Sequence, residues 1–263
     1  MSYFGGRDYA LEVSRGKVAG VSFVNKFGRN TNVDSGIATD IWDLSTQPAW
    51  IAPTVARGHT ISSTVAGDSA VGGTGARTIQ IYGLTGWDQT ETSETLSLAG
   101  TSAIYTTNNY TIIHRMKVLT KGAIVGGTSS NLGTITAMAL SDETVTAQIN
   151  PGDGQTQMAI YGIPSTHTAY MTGWYTSMNK ASLGATAVGV NVRILVNPEP
   201  DAQLLHYIVK QTQSLWSASS TILNHTWNPY FKISGPAIIK IQATGSADNL
   251  DTSAGFDLYL VAN

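Results

Sequence analysis

The sequence predicts an all-β protein: two antiparallel β-sandwich or jelly-roll-like domains preceded by an extended N-terminal arm. Three observations carry this. Apolar and polar residues alternate with period two in run after run, from about residue 57 to the C-terminus. Clusters of Gly, Asn, Asp and Pro separate those runs at short intervals. Apolar residues at helical spacing are scarce, and many short strands with frequent turn signals read as sandwiches or jelly rolls.

Residues 1–36 read as the arm. They mix short apolar pairs with Gly5, Gly6, Gly16, Gly20 and Gly28, and they show no core pattern. Arg7, Arg15, Lys17, Lys26 and Arg29 outnumber Asp8 and Glu12 there, whereas the whole chain carries a net charge of −2. A basic arm on an acidic body suggests docking to an acidic surface. Lys26, Phe27 and Arg29 are its candidate partner-binding residues, two charges and one aromatic anchor.

Residues 37–150 read as the first β-sandwich. "ARTIQIYG" sets Ile79 and Ile81 on one face, and "ETLSLAG" does so for Leu96 and Leu98. "YTIIHRMKVL" places His114 on the apolar face with Ile112 and Met116, the position of a satisfied core or interface histidine. The turn cluster "NPGDGQ" marks a boundary near residue 151.

Residues 151–263 read as a jelly-roll-like domain, with about eight strand-like segments. "AVGVNVRILV" alternates Val188, Val190, Val192, Ile194 and Val196, and "GFDLYLV" alternates Phe256, Leu258 and Leu260. Only residues 201–216 stay open between helix and strand. Leu204, Leu205, Ile208 and Val209 have helical spacing behind a capping Asp201, but β-branched residues follow.

Composition excludes several classes. Charged residues make up 12% of the chain, against roughly 25% in an average domain. Such a surface suits a subunit covered by its neighbours. No global basic field favours nucleic acid. The absence of cysteine excludes disulfides and cysteine chemistry. No apolar run approaches a membrane span, and the opening residues lack the apolar stretch of a signal peptide.

Chemical motifs are few. The glycine run in "GDSAVGGTGARTIQIYG" lacks the Lys-Ser/Thr pair and the following helix of a phosphate loop, so it reads as a turn feeding a strand. Five histidines form no metal pattern, and no GxSxG elbow occurs. No cofactor is expected, and no metal either, although Asp248, Asp251 and Asp257 could supply oxygen ligands for calcium. Glu91 and Glu94 could mimic a glycosidase pair but read as solvated strand ends. Trp42, Trp50, Trp87, Trp174, Tyr175, Trp216 and Trp227 leave room for a sugar-stacking surface, hence a host glycan as ligand.

Several stretches together resemble a family. "LEVSRGKVAGVSFVNKFGRNTNVDSG", "GTGARTIQIYGLTGWDQTETSETLSLAGTSAIYTTNNYTIIHRMKV", "GQTQMAIYGIPSTHTAYMTGWYTSMNK" and "GPAIIKIQATGSADNLDTSAGFDLYLV" are similar to blocks of virion structural proteins of tailed bacteriophages, especially those of marine and cyanobacterial hosts. The resemblance spans nearly the whole chain, and its motifs are structural rather than chemical. It implies a non-enzymatic component made in the host cytoplasm and built into the virion. A capsid decoration or head-fibre protein is the first reading, with a tail, adaptor or fibre component second. The implied partners are further copies of the chain, in a homotrimer by analogy, and other virion proteins such as the major capsid or a tail protein.

Overall fold

The computed structural model describes residues 8–52, 55–123, 130–180, 186–202, 206–218 and 220–263. One short helix, α1 (Tyr9–Ser14), opens the described chain, with Asp8 capping it. The strands follow as β1 (Val21–Val33), β2 (Thr39–Asp40), β3 (His59–Ser63), β4 (Ala76–Leu84), β5 (Thr92–Ser97), β6 (Ile104–Tyr105), β7 (Ile112–Lys121) and β8 (Ile135–Ala139). Then come β9 (Val145–Ile149), β10 (Ile160–Ile163), β11 (His167–Lys180), β12 (Val188–Asn197), β13 (Ile208–Ser217), β14 (Ser220–Ser234), β15 (Ala237–Gly245) and β16 (Leu250–Ala262).

These strands build two sandwiches. One sheet runs β1-β16-β11-β14, and a second runs β10-β15-β12-β13, with β2 added against β15. Counting its eight long strands in chain order, this sandwich reads 1-8-3-6 over 2-7-4-5, the strand order of a jelly roll. Its core includes Met171, Trp174, Val192, Ile194, Ile239, Phe256 and Leu258. The other sandwich pairs β6-β3-β8-β9 with β5-β4-β7 around Ile61, Ile79, Ile81, Ile112, Met116 and Ile135. Each buried isoleucine there contributes about 1.5–3 kcal/mol.

The first sandwich is thus inserted between the first and second long strands of the jelly roll. The all-β class and the jelly-roll character agree with the sequence. The arm does not. Over Val21–Val33 the chain is a jelly-roll strand, in antiparallel register with β16 from Val21↔Val261 to Val33↔Leu250. The reason is visible in the side chains. The buried positions of β1 are Lys26, Gly28, Asn30 and Val33, so the inward face carries too few apolar residues to show alternation. Gly28 is required by close approach: a Cβ there would lie 2.5 Å from both Ala159 N and Ile41 O.

Of residues 201–216, left open between helix and strand, Asp201 lies in a short 3-10 turn, Leu204 and Leu205 lie outside the described residues, and from Ile208 the chain is strand, because β13 pairs with β12 along its length. The glycine run of residues 72–75 is a turn, as read from the sequence. Residues 76–84 form β4, and the loop before it closes on the buried carboxylate of Asp68. That carboxylate accepts from Ser63 Oγ (2.7 Å), Ala76 N (2.8 Å), Leu132 N (2.9 Å) and Gly133 N (2.8 Å). Gly75 is packed so tightly that a Cβ would come within 2.1 Å of Asp68 Oδ1.

Two connections cross between the sandwiches, one near residues 41–52 and one near 150–159, and they run side by side. Ala159 N donates to Ile41 O at 2.9 Å, and Ile41 N donates to Ile241 O at 2.9 Å. Asp40 anchors the outgoing connection. It is fully buried and pairs with Lys240 Nζ at 2.8 Å, while Trp50 N (2.8 Å) and Gln242 Nε2 (3.2 Å) donate to the same carboxylate.

Candidate functional site

A cleft of about 350 Å³ opens where the jelly roll meets the inserted sandwich. Phe23, Asn25 and Lys26 of β1 line one wall, and Tyr82 of β4 with His114, Arg115 and Lys117 of β7 line the other. Tyr161 of β10 and Glu91, just before β5, complete it. The pairing of β4 with β7 explains how the second wall is aimed. Tyr82 lies opposite Arg115 and Gly83 opposite Ile113, so His114 is the extra residue of a β-bulge. Bulges re-aim side chains in this way.

His114 is buried and its Nε2 lies 2.6 Å from Glu91 Oε2. Its ring centroid is 4.6 Å from that of Tyr161. Burial holds the His114 pKa below its ordinary value, and the charges of Lys26 and Arg115 act in the same direction against Glu91. Burial alone would raise the Glu91 pKa, but the bond to His114 and the two neighbouring cations leave it below the ordinary value. The pair therefore rests as neutral imidazole and carboxylate.

Lys26 is the sharpest departure from the sequence reading. It is 2% exposed and its ammonium donates to the His114 carbonyl across the cleft. Burial, then Arg115, pushes its pKa well down, with Glu91 and Asp43 opposing. Arg115 returns the contact, its Nη2 donating to Asn25 O at 2.5 Å. Two cations thus bolt the sandwiches together by backbone carbonyls. Arg29 is spoken for as well: it makes a two-point bond to Asp251, Nε to Oδ1 at 2.9 Å and Nη2 to Oδ2 at 2.6 Å. Phe27 is half-buried opposite Gly255. Of the three residues read as a docking patch, Lys26 and Arg29 are engaged within the chain and hold β1 in place, because the strand needs its polar side chains satisfied once it is in the sheet.

The remaining candidates separate. Asp248 accepts from Ser35 N at 3.0 Å, Asp251 takes Arg29, and Asp257 accepts from Asn25 Nδ2 at 2.6 Å. Each carboxylate ties β16 or its entry to the β1 region. Among the described residues no three of His, Cys, Asp and Glu gather as metal ligands. Glu94 accepts from the backbone of Thr107 at 2.9 Å and serves a turn, so it does not share a substrate with Glu91. Glu91 stands just before β5 with its side chain 39% exposed, and it also lines the cleft. That role depends on His114, 23 positions away, and strand periodicity carries no signal for it.

Asp43 sits where the two connections cross. Its Oδ2 accepts from Gln157 N at 2.6 Å, and burial raises its pKa from 3.8 to about 8. Burial lowers that of His59 from 6.5 to about 4. The signs oppose. Asp43 stabilises the fold most below pH 3.8, and this is lost as pH rises toward 8; His59 withdraws stability as pH falls from 6.5 toward 4. In Asp43→Asn the melting temperature, measured relative to wild type, is expected to climb steadily from pH 4 to pH 8. A constant offset across that range contradicts the assignment.

The tryptophans differ in exposure, with Trp87 and Trp227 partly buried against the two cores. Trp42, Trp50 and Trp174 are buried, whereas Trp216 is 69% exposed. Trp216 pairs with Gly189, and its ring lies so close that a Cβ on Gly189 would approach Cε3 to 2.6 Å. A groove beside it, about 240 Å³, is lined by Asn191, Ser214, Thr244 and Ser246 among others.

No protein-family model matches the chain, and no curated protein matches it either. Solved structures give distant matches. The T13 particle of infectious bursal disease virus matches at 10% identity, covering 92% of this chain and 69% of that one, with a TM-score of 0.23. The VP2 subviral particle of the same virus matches at 12% identity, with coverages of 92% and 72% and a TM-score of 0.20. The tandem CBM22 domains of Paenibacillus barcinonensis Xyn10C match at 8% identity, with coverages of 93% and 92% and a TM-score of 0.25. TM-scores this low carry no argument about function.

Proposed function

We propose that the chain is a non-enzymatic structural subunit of a bacteriophage virion, a capsid decoration or head-fibre protein that self-associates through the β13–β14 edge of its jelly roll. The observation that carries the self-association is the unequal treatment of the two open sides of that jelly roll. On one side, β10 is buried throughout and β1 is bonded to the inserted sandwich through Lys26 and Arg115. On the other, β13 and β14 end their sheets, 10 and 15 residues long, and are largely exposed. Ile208, Val209, Trp216, Ile222, Leu223 and Tyr230 are exposed along them. A long apolar edge left open invites pairing with another chain, and the low charge of the surface agrees with burial in an assembly. A second copy of this chain is the partner argued for, since most soluble oligomers are closed assemblies of identical subunits.

The placement in a tailed-phage particle comes from the resemblance of the sequence blocks. The non-enzymatic part rests on the same resemblance, whose motifs are structural rather than chemical. Locating the protein in a reconstruction of the intact particle tests the reading. Density for the jelly roll is expected on the head, with β13–β14 facing another copy. Particles that lack the protein contradict it.

The exposed Trp216 beside a groove that also presents Asn191, Ser214, Thr244 and Ser246 favours one rival, a glycan-binding module. That rival predicts that Trp216→Ala abolishes binding to a glycan array and leaves the oligomeric mass unchanged.

A further inference from the structure

We infer that the cleft between the two sandwiches binds a single carboxylated sugar residue, such as a uronic acid unit of a host polysaccharide. This inference depends on the cleft alone and not on self-association or on Trp216. Its volume of about 350 Å³ falls at the small end of ligand sites, the size for one ring rather than a chain.

The charge arrangement asks for an anion. Lys26, Arg115 and Lys117 line the cleft, and the one carboxylate lining it, Glu91, is already engaged by His114 at 2.6 Å. Among the described residues neither Lys26 nor Arg115 has a carboxylate partner; each donates to a backbone carbonyl. An ammonium has three donors and a guanidinium five, so donor capacity remains on both. The nearest carboxylate, Glu91, is shared between His114 and these two groups, so the cleft holds more positive than negative groups and an entering anion balances them. The guanidinium fork matches a planar carboxylate.

The rest of the lining selects the body of the ligand. Phe23, Tyr82 and Tyr161 supply aromatic surface, while Asn25 and Glu91 supply an amide and an acceptor for hydroxyl groups. Glu91 at the mouth also disfavours a second negative charge, which sets a monoanionic carboxylate apart from phosphate.

The test uses the full chain at neutral pH, titrated by calorimetry with methyl glucuronide, methyl glucoside, acetate and inorganic phosphate. Methyl glucuronide is expected to bind at least about tenfold more tightly than each of the other three. Arg115→Gln is expected to weaken it, and because Arg115 also bonds Asn25 O, the exposed Lys117→Gln serves as the second variant. Lys117→Gln is expected to weaken binding about fivefold and to leave the melting temperature unchanged. Four outcomes overturn the inference: no binding of the glucuronide, equal binding of the glucoside, phosphate binding as tightly, or wild-type affinity in the Lys117 variant.

Discussion

Asp68→Ala is expected to destabilise the inserted sandwich by ~4 kcal/mol or more, the largest effect of any single substitution considered. The carboxylate is fully buried and accepts from three backbone amides and one hydroxyl. Alanine leaves Ala76 N, Leu132 N and Gly133 N without their acceptor in a site closed to water. Each orphaned amide costs about 1–3 kcal/mol, which is why the sum is large. Asp68→Asn keeps one acceptor oxygen but turns an NH2 toward donors, so it is expected to recover only part of the loss. Urea unfolding checks both. A midpoint unchanged in Asp68→Ala contradicts the keystone role.

Asp40→Ala is expected to cost about 3–5 kcal/mol, because it strands Lys240 as an uncompensated buried charge. Lys240 is 6% exposed, its Nζ lies 2.8 Å from Asp40, and it sits 4.3 Å over the Tyr207 ring. The Asp40 carboxylate also holds Trp50 N, so its loss loosens the start of the connection to the inserted sandwich. Adding Lys240→Met to Asp40→Ala removes the stranded charge. The double variant is expected to be more stable than Asp40→Ala alone, and the coupling measures the pair. Equal stability of the single and double variants contradicts the argument.

These two carboxylates show where sequence reasoning stops. The run Gly72–Gly75 reads correctly as a turn into a strand, because glycine content and alternation are local signals. Asp68 is silent, because its partners Leu132 and Gly133 lie more than 60 positions along the chain. The same holds for Asp40 and Lys240, separated by 200 positions. Strands with apolar inward faces, such as β12 and β16, are legible from alternation alone. β1 is not: Lys26, Gly28 and Asn30 occupy its inward positions, and the strand is held by β16 and by polar bonds rather than by apolar burial. The reading of residues 1–36 as an arm followed from that pattern. The turn cluster at residues 150–155 marks the end of the inserted sandwich, but nothing local shows that β1, before the insertion, belongs with the strands after it.

The cleft was half legible. His114 is foreseeable as a buried histidine on an apolar face, but only its Nε2 is bonded, to Glu91, and its buried Nδ1 has no partner. Glu91 and Lys26 are not foreseeable, since a β-bulge and the packing of two sandwiches bring them to it. Trp216 was visible only as one tryptophan among several, because exposure depends on β13 being an edge strand.

The central claim is that the open β13–β14 edge joins copies of this subunit. Sedimentation velocity on the full chain tests it most directly, with the paired variant Trp216→Lys and Ile222→Lys alongside. Both side chains are exposed, at 69% and 62%, so the substitutions leave the core intact. The account predicts an oligomer, a trimer by analogy with other β-rich virion proteins, that falls to monomer in the paired variant with an unchanged circular dichroism spectrum. A wild-type chain that stays monomeric at every concentration, or a paired variant that sediments as wild type, contradicts it.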